Sequence, residues 1–212
     1  MSALRTVRHE AGAPDLMVLL PGAQMRAEDF AEAGCFDAVA RRGIALDLVA
    51  VDLGVDAVAG SAPLDALQAQ ILAPARRRYR RTWLGGISLG GLVALAHAAD
   101  TPDSVDGLCL IAPYPGSRLT LNAIAGAGGI DAWQPTRDAL ADPEVRVWNW
   151  LKAPPALPAF VGWGTEDRFA HGMQALAGRF PPAARRSIPG GHAWPTWQRL
   201  WADFLDLGYF SA

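Results

Sequence analysis

Ser88 stands inside Gly86-Ile87-Ser88-Leu89-Gly90, a G-x-S-x-G pattern. The apolar segment Thr82-Trp83-Leu84 precedes it, and a small-residue helical run, Gly91-Leu92-Val93-Ala94-Leu95-Ala96, follows. The bare pattern is common; its setting between strand and helix makes it informative. A serine on such a turn stands at a strand tip with its hydroxyl exposed. The flanking glycines let the backbone bend and let helix and strand approach closely. Ser88 is therefore the candidate nucleophile. A serine hydroxyl is a poor nucleophile at its own pKa, so a base must lie within reach and an acceptor must orient that base.

Four histidines compete for the role of base. His9 belongs to an expected edge strand and reads as a surface residue. His97 lies far along the helix after Ser88 and reads as a packed side chain. His171 falls at a helix start and is the second choice. His192 sits in Pro189-Gly190-Gly191-His192-Ala193-Trp194-Pro195, a glycine-rich loop at the carboxyl end of a strand. Open α/β sheets place their sites on such loops, so His192 is the expected base. The acid is expected on another loop of the same edge. Ala159-Phe160-Val161-Gly162-Trp163-Gly164-Thr165-Glu166-Asp167 gives an apolar strand, two glycines and adjacent carboxylates. Asp167 is the choice and Glu166 the fallback, with a helix cap as the competing role for either. Asp52, also at a strand end, reads as a turn or cap residue.

These side chains need a scaffold that brings loops together. Strands are expected over 16–20, 44–51, 82–87, 107–111, 159–163 and 184–188, with an edge strand over 4–9. Several runs are apolar at successive positions, as suits parallel strands covered on both faces. Helical spacing separates them. Trp197, Leu200, Trp201, Phe204 and Leu205 form one stripe, and Met173, Leu176, Ala177 and Phe180 another. Phe36, Val39 and Ala40 mark a helix before Gly43. Leu64, Leu67, Ile71 and Leu72 mark one that Pro74 is expected to break or kink. Pro195 suits the first turn of the last helix. Strand and helix in alternation predict a single α/β domain with right-handed crossovers. The segment 113–158 breaks this rhythm with prolines, glycines and Trp133, Trp148 and Trp150. It is read as a small cap beside the site or a scaffold insertion, with short helices over 136–141 and 145–151.

The order Ser88, Asp167, His192 on strand–turn–helix and later loops resembles the α/β-hydrolase superfamily over nearly the whole chain. The resemblance rests on residues 86–90, 162–167 and 190–192. It implies a mostly parallel central sheet with helices on both faces. It also implies hydrolysis of an ester or related acyl group through an acyl-serine. An oxyanion hole follows, with the Leu89 N–H as one donor and an amide from Leu19-Leu20-Pro21-Gly22-Ala23-Gln24-Met25 as the other. Family members commonly have His-Gly where this chain has Pro21-Gly22. Because the donor is a backbone amide, Ala23 or Gln24 can still serve, and the Gln24 side chain could add a contact. Met25 is a further candidate for the pocket wall. Trp163 and Trp194 flank the acid and base and either line that pocket or pack the loops. The expected substrate is a small or medium carboxylic ester. An acyl thioester suits the same machinery, and a binding module that kept the fold is the non-enzymatic reading. No metal or cofactor is required.

Composition sets the outer bounds. The 212 residues are 51% hydrophobic and 19% charged, with a formal net charge of −2. That balance describes a globular chain and gives no reason to expect nucleic acid or an anionic membrane as partner. Arg76-Arg77-Arg78-Tyr79-Arg80-Arg81 reads as a solvated helix end, where cations are favoured. Cys35 and Cys109 read as buried free thiols. The N-terminal residues lack a signal-peptide core and no apolar run approaches membrane-span length, so a cytoplasmic location is expected.

Overall fold

The computed structural model describes residues 3–54, 62–153 and 155–210. Seven strands form one sheet: β1 (Arg5–His9), β2 (Asp15–Leu20), β3 (Leu46–Asp52), β4 (Arg81–Ile87), β5 (Gly107–Ile111), β6 (Ala159–Gly164) and β7 (Arg185–Ile188). Their spatial order is β1-β3-β2-β4-β5-β6-β7. Only β1 is antiparallel, pairing Thr6 with Val51 along the edge. All other pairs are parallel.

The successive apolar residues are explained by cores on both faces. Leu16, Val18 and Leu20 enter one core, and Met17 and Leu19 the other. Val161 and Phe160 divide in the same way. The first core is closed by α3 (Ala62–Leu67), α4 (Ala73–Arg78), α5 (Leu89–Asp100) and α7 (Pro143–Trp150). The second is closed by α1 (Ala27–Glu32), α2 (Cys35–Arg42) and α9 (Trp194–Leu205). The two remaining helices are α6 (Arg118–Gly126) and α8 (Ala170–Ala177).

Local signals set most boundaries. Gly43 takes a left-handed conformation, φ 62°, and ends α2, satisfying the last carbonyls as a C-terminal glycine does. Pro195 lies in the first turn of α9. At Pro74 the helical run does not end, but regular α-helix is interrupted just before it. A π-helical turn over Gln68–Leu72 joins α3 to α4, and Ala73 N–H reaches back to the Gln68 carbonyl. The proline then falls in the first turn of α4, where its missing N–H matters least. Cys35 and Cys109 are buried and free.

The segment 113–158, of which residue 154 is outside the described residues, serves two ends. α7 is scaffold: Val145, Val147 and Trp148 enter the core, and Trp148 Nε1 donates to the Pro115 carbonyl at 2.8 Å. α6 was not anticipated over its range. Ser117 caps it by accepting the Thr120 N–H, and Glu144 ties that start to α7 by accepting the Ser117 N–H at 2.7 Å. The arginine run lies where α4 runs into β4. Arg76 pairs with Asp106, Arg78 with Glu10, and Arg80 and Arg81 both grip the buried Asp15. Burial opposes ionisation of Asp15, but its bonds to Arg81 and Arg80 outweigh that and hold its pKa below the ordinary value. No helix among the described residues is long and apolar enough to cross a membrane.

Candidate active site

β2 and β4 are neighbours, yet their outgoing connections run to opposite sides of the sheet. A crevice opens at such a reversal, at the carboxyl ends of the strands. Ser88 stands there, between β4 and α5, with φ 54° and ψ −117°. A positive φ is strained for any residue with a side chain. Its neighbours hold it in place. The Ser88 N–H donates to the Ile111 carbonyl at 3.0 Å, and the Ser88 carbonyl accepts from Tyr114 N–H at 2.8 Å and Gly91 N–H at 3.0 Å. Close contacts explain the two glycines of the pattern. A Cβ on Gly86 would lie 2.3 Å from the Gly90 backbone, and one on Gly90 would lie 2.1 Å from the Leu20 carbonyl oxygen.

The structure brings Ser88, His192 and Asp167 into one chain of hydrogen bonds. His192 Nε2 lies 2.9 Å from Ser88 Oγ, and Nδ1 lies 2.5 Å from Asp167 Oδ2. A carboxylate only accepts, so Nδ1 carries the proton and Nε2 is left to accept from the serine hydroxyl. The second carboxylate oxygen is also occupied: Asp167 Oδ1 accepts the Phe169 N–H at 2.9 Å, an Asx turn leading into α8. Asp167 thus meets His192 with one oxygen and the chain entering α8 with the other, without capping that helix, whose first residue is preceded by Phe169. Asp167 has no exposed side-chain surface, and His192 is 17% exposed.

Glycines let the acid and base loops meet. A Cβ on Gly164 would lie 2.1 Å from the Gly190 carbonyl oxygen. In that gap the Gly190 carbonyl accepts the Glu166 N–H at 3.0 Å, and the Ile188 carbonyl accepts the Thr165 N–H at 2.8 Å. The two loops are zipped together by backbone bonds. Glu166, the fallback acid, contributes its N–H there and has an exposed side chain. The His192 ring is held edgewise by Phe169 at 5.6 Å and Trp197 at 5.1 Å.

The remaining candidates separate. Leu89 opens α5, so its N–H has no intrahelical acceptor. Ala23 and Gln24 are the exposed centre of a turn closed by Met25 N–H donating to the Gly22 carbonyl at 3.1 Å. A cavity of about 440 Å³ lies beside them, walled by Leu20, Met25, Leu53, Leu89 and Val93, with Gln24 at its edge. Trp163 and Trp194 do not line it. Trp163 is wedged between the two cores, and Trp194 packs edge-on against Phe30 and Trp197.

Other expectations find their places. Asp52 caps α1 from a distance, accepting the Ala27 N–H at 2.7 Å. His97 is buried with Nε2 3.0 Å from Ser104 Oγ, and burial lowers its pKa. His171 is exposed on α8, and His9 packs near Phe36. Tyr114 and Phe169, stacked edge to face at 5.3 Å, were not anticipated as neighbours of the site. The available signal was position: both follow strands on the nucleophile's side of the sheet. Among the described residues no cluster of His, Cys, Asp and Glu could hold a metal ion.

Solved structures share this fold. Staphylococcus aureus FphF, a fluorophosphonate-binding serine hydrolase, aligns with a TM-score of 0.68 at 11% identity, covering 97% of each chain. A thermophilic esterase from Thermogutta terrifontis aligns at 0.62 and 18% identity, covering 96% of this chain and 93% of its own. Est1E from Butyrivibrio proteoclasticus aligns at 0.60 and 16% identity, covering 92% and 88%. No curated protein sequence matches. The description "Alpha/beta hydrolase family" fits residues 17–210, nearly all of the sheet and every loop of the site, and the chain belongs to that family.

Proposed function

We propose that this protein is a serine hydrolase that cleaves a carboxylic ester of small or medium size through an acyl-serine intermediate. One observation carries the reading: the unbroken bond chain from Ser88 Oγ through His192 to the buried Asp167. His192 Nε2 takes the hydroxyl proton as Ser88 Oγ attacks the ester carbonyl. Asp167 holds the imidazole orientation and stabilises the imidazolium that forms. The N–H groups of Leu89 and Ala23 receive the oxyanion. His192 then returns the proton to the leaving alcohol as the C–O bond breaks. Water, deprotonated by the same imidazole, attacks the acyl-serine and frees the acid.

The cavity of about 440 Å³ beside Leu89 and Ala23, mostly apolar but also lined by Gln24, Arg26 and Asp52, suits a substrate portion of modest size. Tyr114, at the start of the 113–158 segment, packs edge to face on Phe169, which supports reading this segment as a partial cap. Two free, buried thiols fit a reducing compartment such as the cytoplasm.

A fluorophosphonate probe tests the nucleophile. Labelling of the wild type and none of Ser88→Ala supports the reading; an unlabelled wild type near neutral pH would sink it. A panel of p-nitrophenyl esters and matched thioesters of graded length then decides between oxygen and thiol leaving groups. Full ester turnover by His192→Ala would remove the base assignment.

A further inference from the structure

Met25 grips Gly22 by both of its backbone groups. The Met25 N–H donates to the Gly22 carbonyl at 3.1 Å, and the Gly22 N–H donates to Met25 Sδ at 3.3 Å. These bonds close the turn whose centre is Ala23 and Gln24. Gln24 sits at φ 63°, a conformation that side chains resist unless their surroundings impose it. Gly22 is buried and backs onto the nucleophile. A Cβ there would lie 3.3 Å from Ser88 Cβ and 3.2 Å from the Ile87 carbonyl oxygen.

The peptide between Gly22 and Ala23 is trans, so its C=O and N–H point in opposite directions. A Gly22 carbonyl held on Met25 therefore fixes where the Ala23 N–H aims. Rotating this peptide would withdraw the donor while leaving Ser88, His192 and Asp167 in place. The carbonyl bond alone is a poor guard against that rotation, since exposed turns exchange such bonds with water. The sulfur adds a second grip on the adjoining amide, in a buried position where the Gly22 N–H would otherwise go unsatisfied.

We propose that Met25 is a positioning residue for the oxyanion donor: its thioether sulfur holds the Gly22 N–H and so sets the Gly22–Ala23 peptide. The inference rests on the esterase reading above. It differs from a wall role, which predicts effects on KM that grow with acyl length. A misaimed donor instead lowers kcat for every ester, because the oxyanion exists only after attack.

The test compares Met25→Leu, which keeps apolar bulk but cannot accept, with Met25→Gln, which offers a carbonyl oxygen at similar reach. On p-nitrophenyl acetate, butyrate and octanoate, Met25→Leu is expected to lose about tenfold in kcat on all three, with KM within about twofold. Met25→Gln is expected to recover most of that loss. Hydrogen exchange at the Gly22 amide, followed by NMR, is expected to quicken in Met25→Leu and to stay slow in the wild type and Met25→Gln. Melting curves verify folding of both variants. Unchanged kcat, a loss confined to octanoate, or unaltered Gly22 exchange in Met25→Leu would overturn the proposal. If the wild type hydrolyses no ester, the hydrolase reading fails by itself, and Gly22 exchange still decides whether the sulfur holds the turn.

Discussion

Alanine at position 90 should silence the protein while leaving it folded. The argument begins with one contact. A Cβ on Gly90 would stand 2.1 Å from the Leu20 carbonyl oxygen and 2.7 Å from that of Pro21, whereas real Cβ atoms essentially never come within 3.0 Å. The end of β2 must therefore retreat from α5 by about 1 Å, and the turn bearing Ala23 moves with it; a shift of that size can cost roughly 10² in rate. Loss of one oxyanion donor gives a similar figure, about 10²–10³ in kcat. Overpacking of this kind costs about 1–3 kcal/mol, a minor part of the roughly 5–15 kcal/mol that holds a domain together. Helix propensity argues the other way, since alanine is favoured over glycine by about 1 kcal/mol inside a helix. Gly90→Ala should thus melt a few degrees lower yet lose at least about a hundredfold in p-nitrophenyl acetate turnover. Circular dichroism melts and initial rates on the same sample read both quantities. A folded Gly90→Ala variant with turnover within about threefold of wild type would refute the reasoning, because the oxyanion turn would then tolerate the displacement.

Strain at Ser88 makes a second prediction: Ser88→Gly should be more stable to urea than Ser88→Ala by about 1 kcal/mol, the relief of a positive φ less the extra chain entropy of glycine. Equal midpoints would show that the elbow stores no strain. Tyr79 lies buried with its hydroxyl 2.9 Å from Asp47, and burial followed by this bond pushes its pKa up to about 12. Tyr79→Phe should lose about 1–3 kcal/mol by leaving that carboxylate oxygen unpaired, measured by the same denaturation; no loss would mean water replaces the bond. Acid sensitivity has two windows. His97 is held neutral by burial, against a smaller opposing effect of Asp100, so its folded pKa lies below the unfolded value of 6.5. The unfolded chain then binds more protons, and stability present above pH 6.5 falls as pH drops through that value toward the folded pKa. Asp15, whose folded pKa is also lowered, contributes stability above 3.8 that is lost as pH falls further. Melting temperatures from pH 8 to 3 should show both declines, and a profile flat between pH 7 and 5 would contradict the first.

The parts visible in the sequence were those where a local pattern and the tertiary demand coincide. Strands covered on both faces must be apolar at successive positions, so β2, β3 and β5 could be read directly. Gly190 could be read as a loop residue, whereas Gly164, read as part of the acid loop, closes β6 opposite Ile188, where the backbones meet without room for a side chain. α6 was harder, since its glycine-rich end at Gly126, Gly128 and Gly129 hides the Ser117 cap that starts it. The π-helical turn before Pro74 has no local signature; it is the way a proline fits when packing on both sides keeps the rod intact. Trp163 and Trp194 could not be decided from sequence between wall and packing roles, because proximity in sequence to His192 and Asp167 says nothing about which way a ring faces. Met25 was legible as a pocket residue but not as the acceptor for Gly22, because a thioether carries no charge or periodicity to mark it.

The backbone zipper between the Asp167 and His192 loops divides the site unevenly. Asp167 and His192 follow β6 and β7, while Ser88 stands between β4 and α5 and the Ala23 turn follows β2. The bond from Ser88 Oγ to His192 Nε2 crosses from one of these groups of loops to the other. A change in the twist of the sheet at β5 would therefore alter that distance. β5, which lies between β4 and β6, therefore sets the spacing on which the proposed proton transfer from Ser88 to His192 depends.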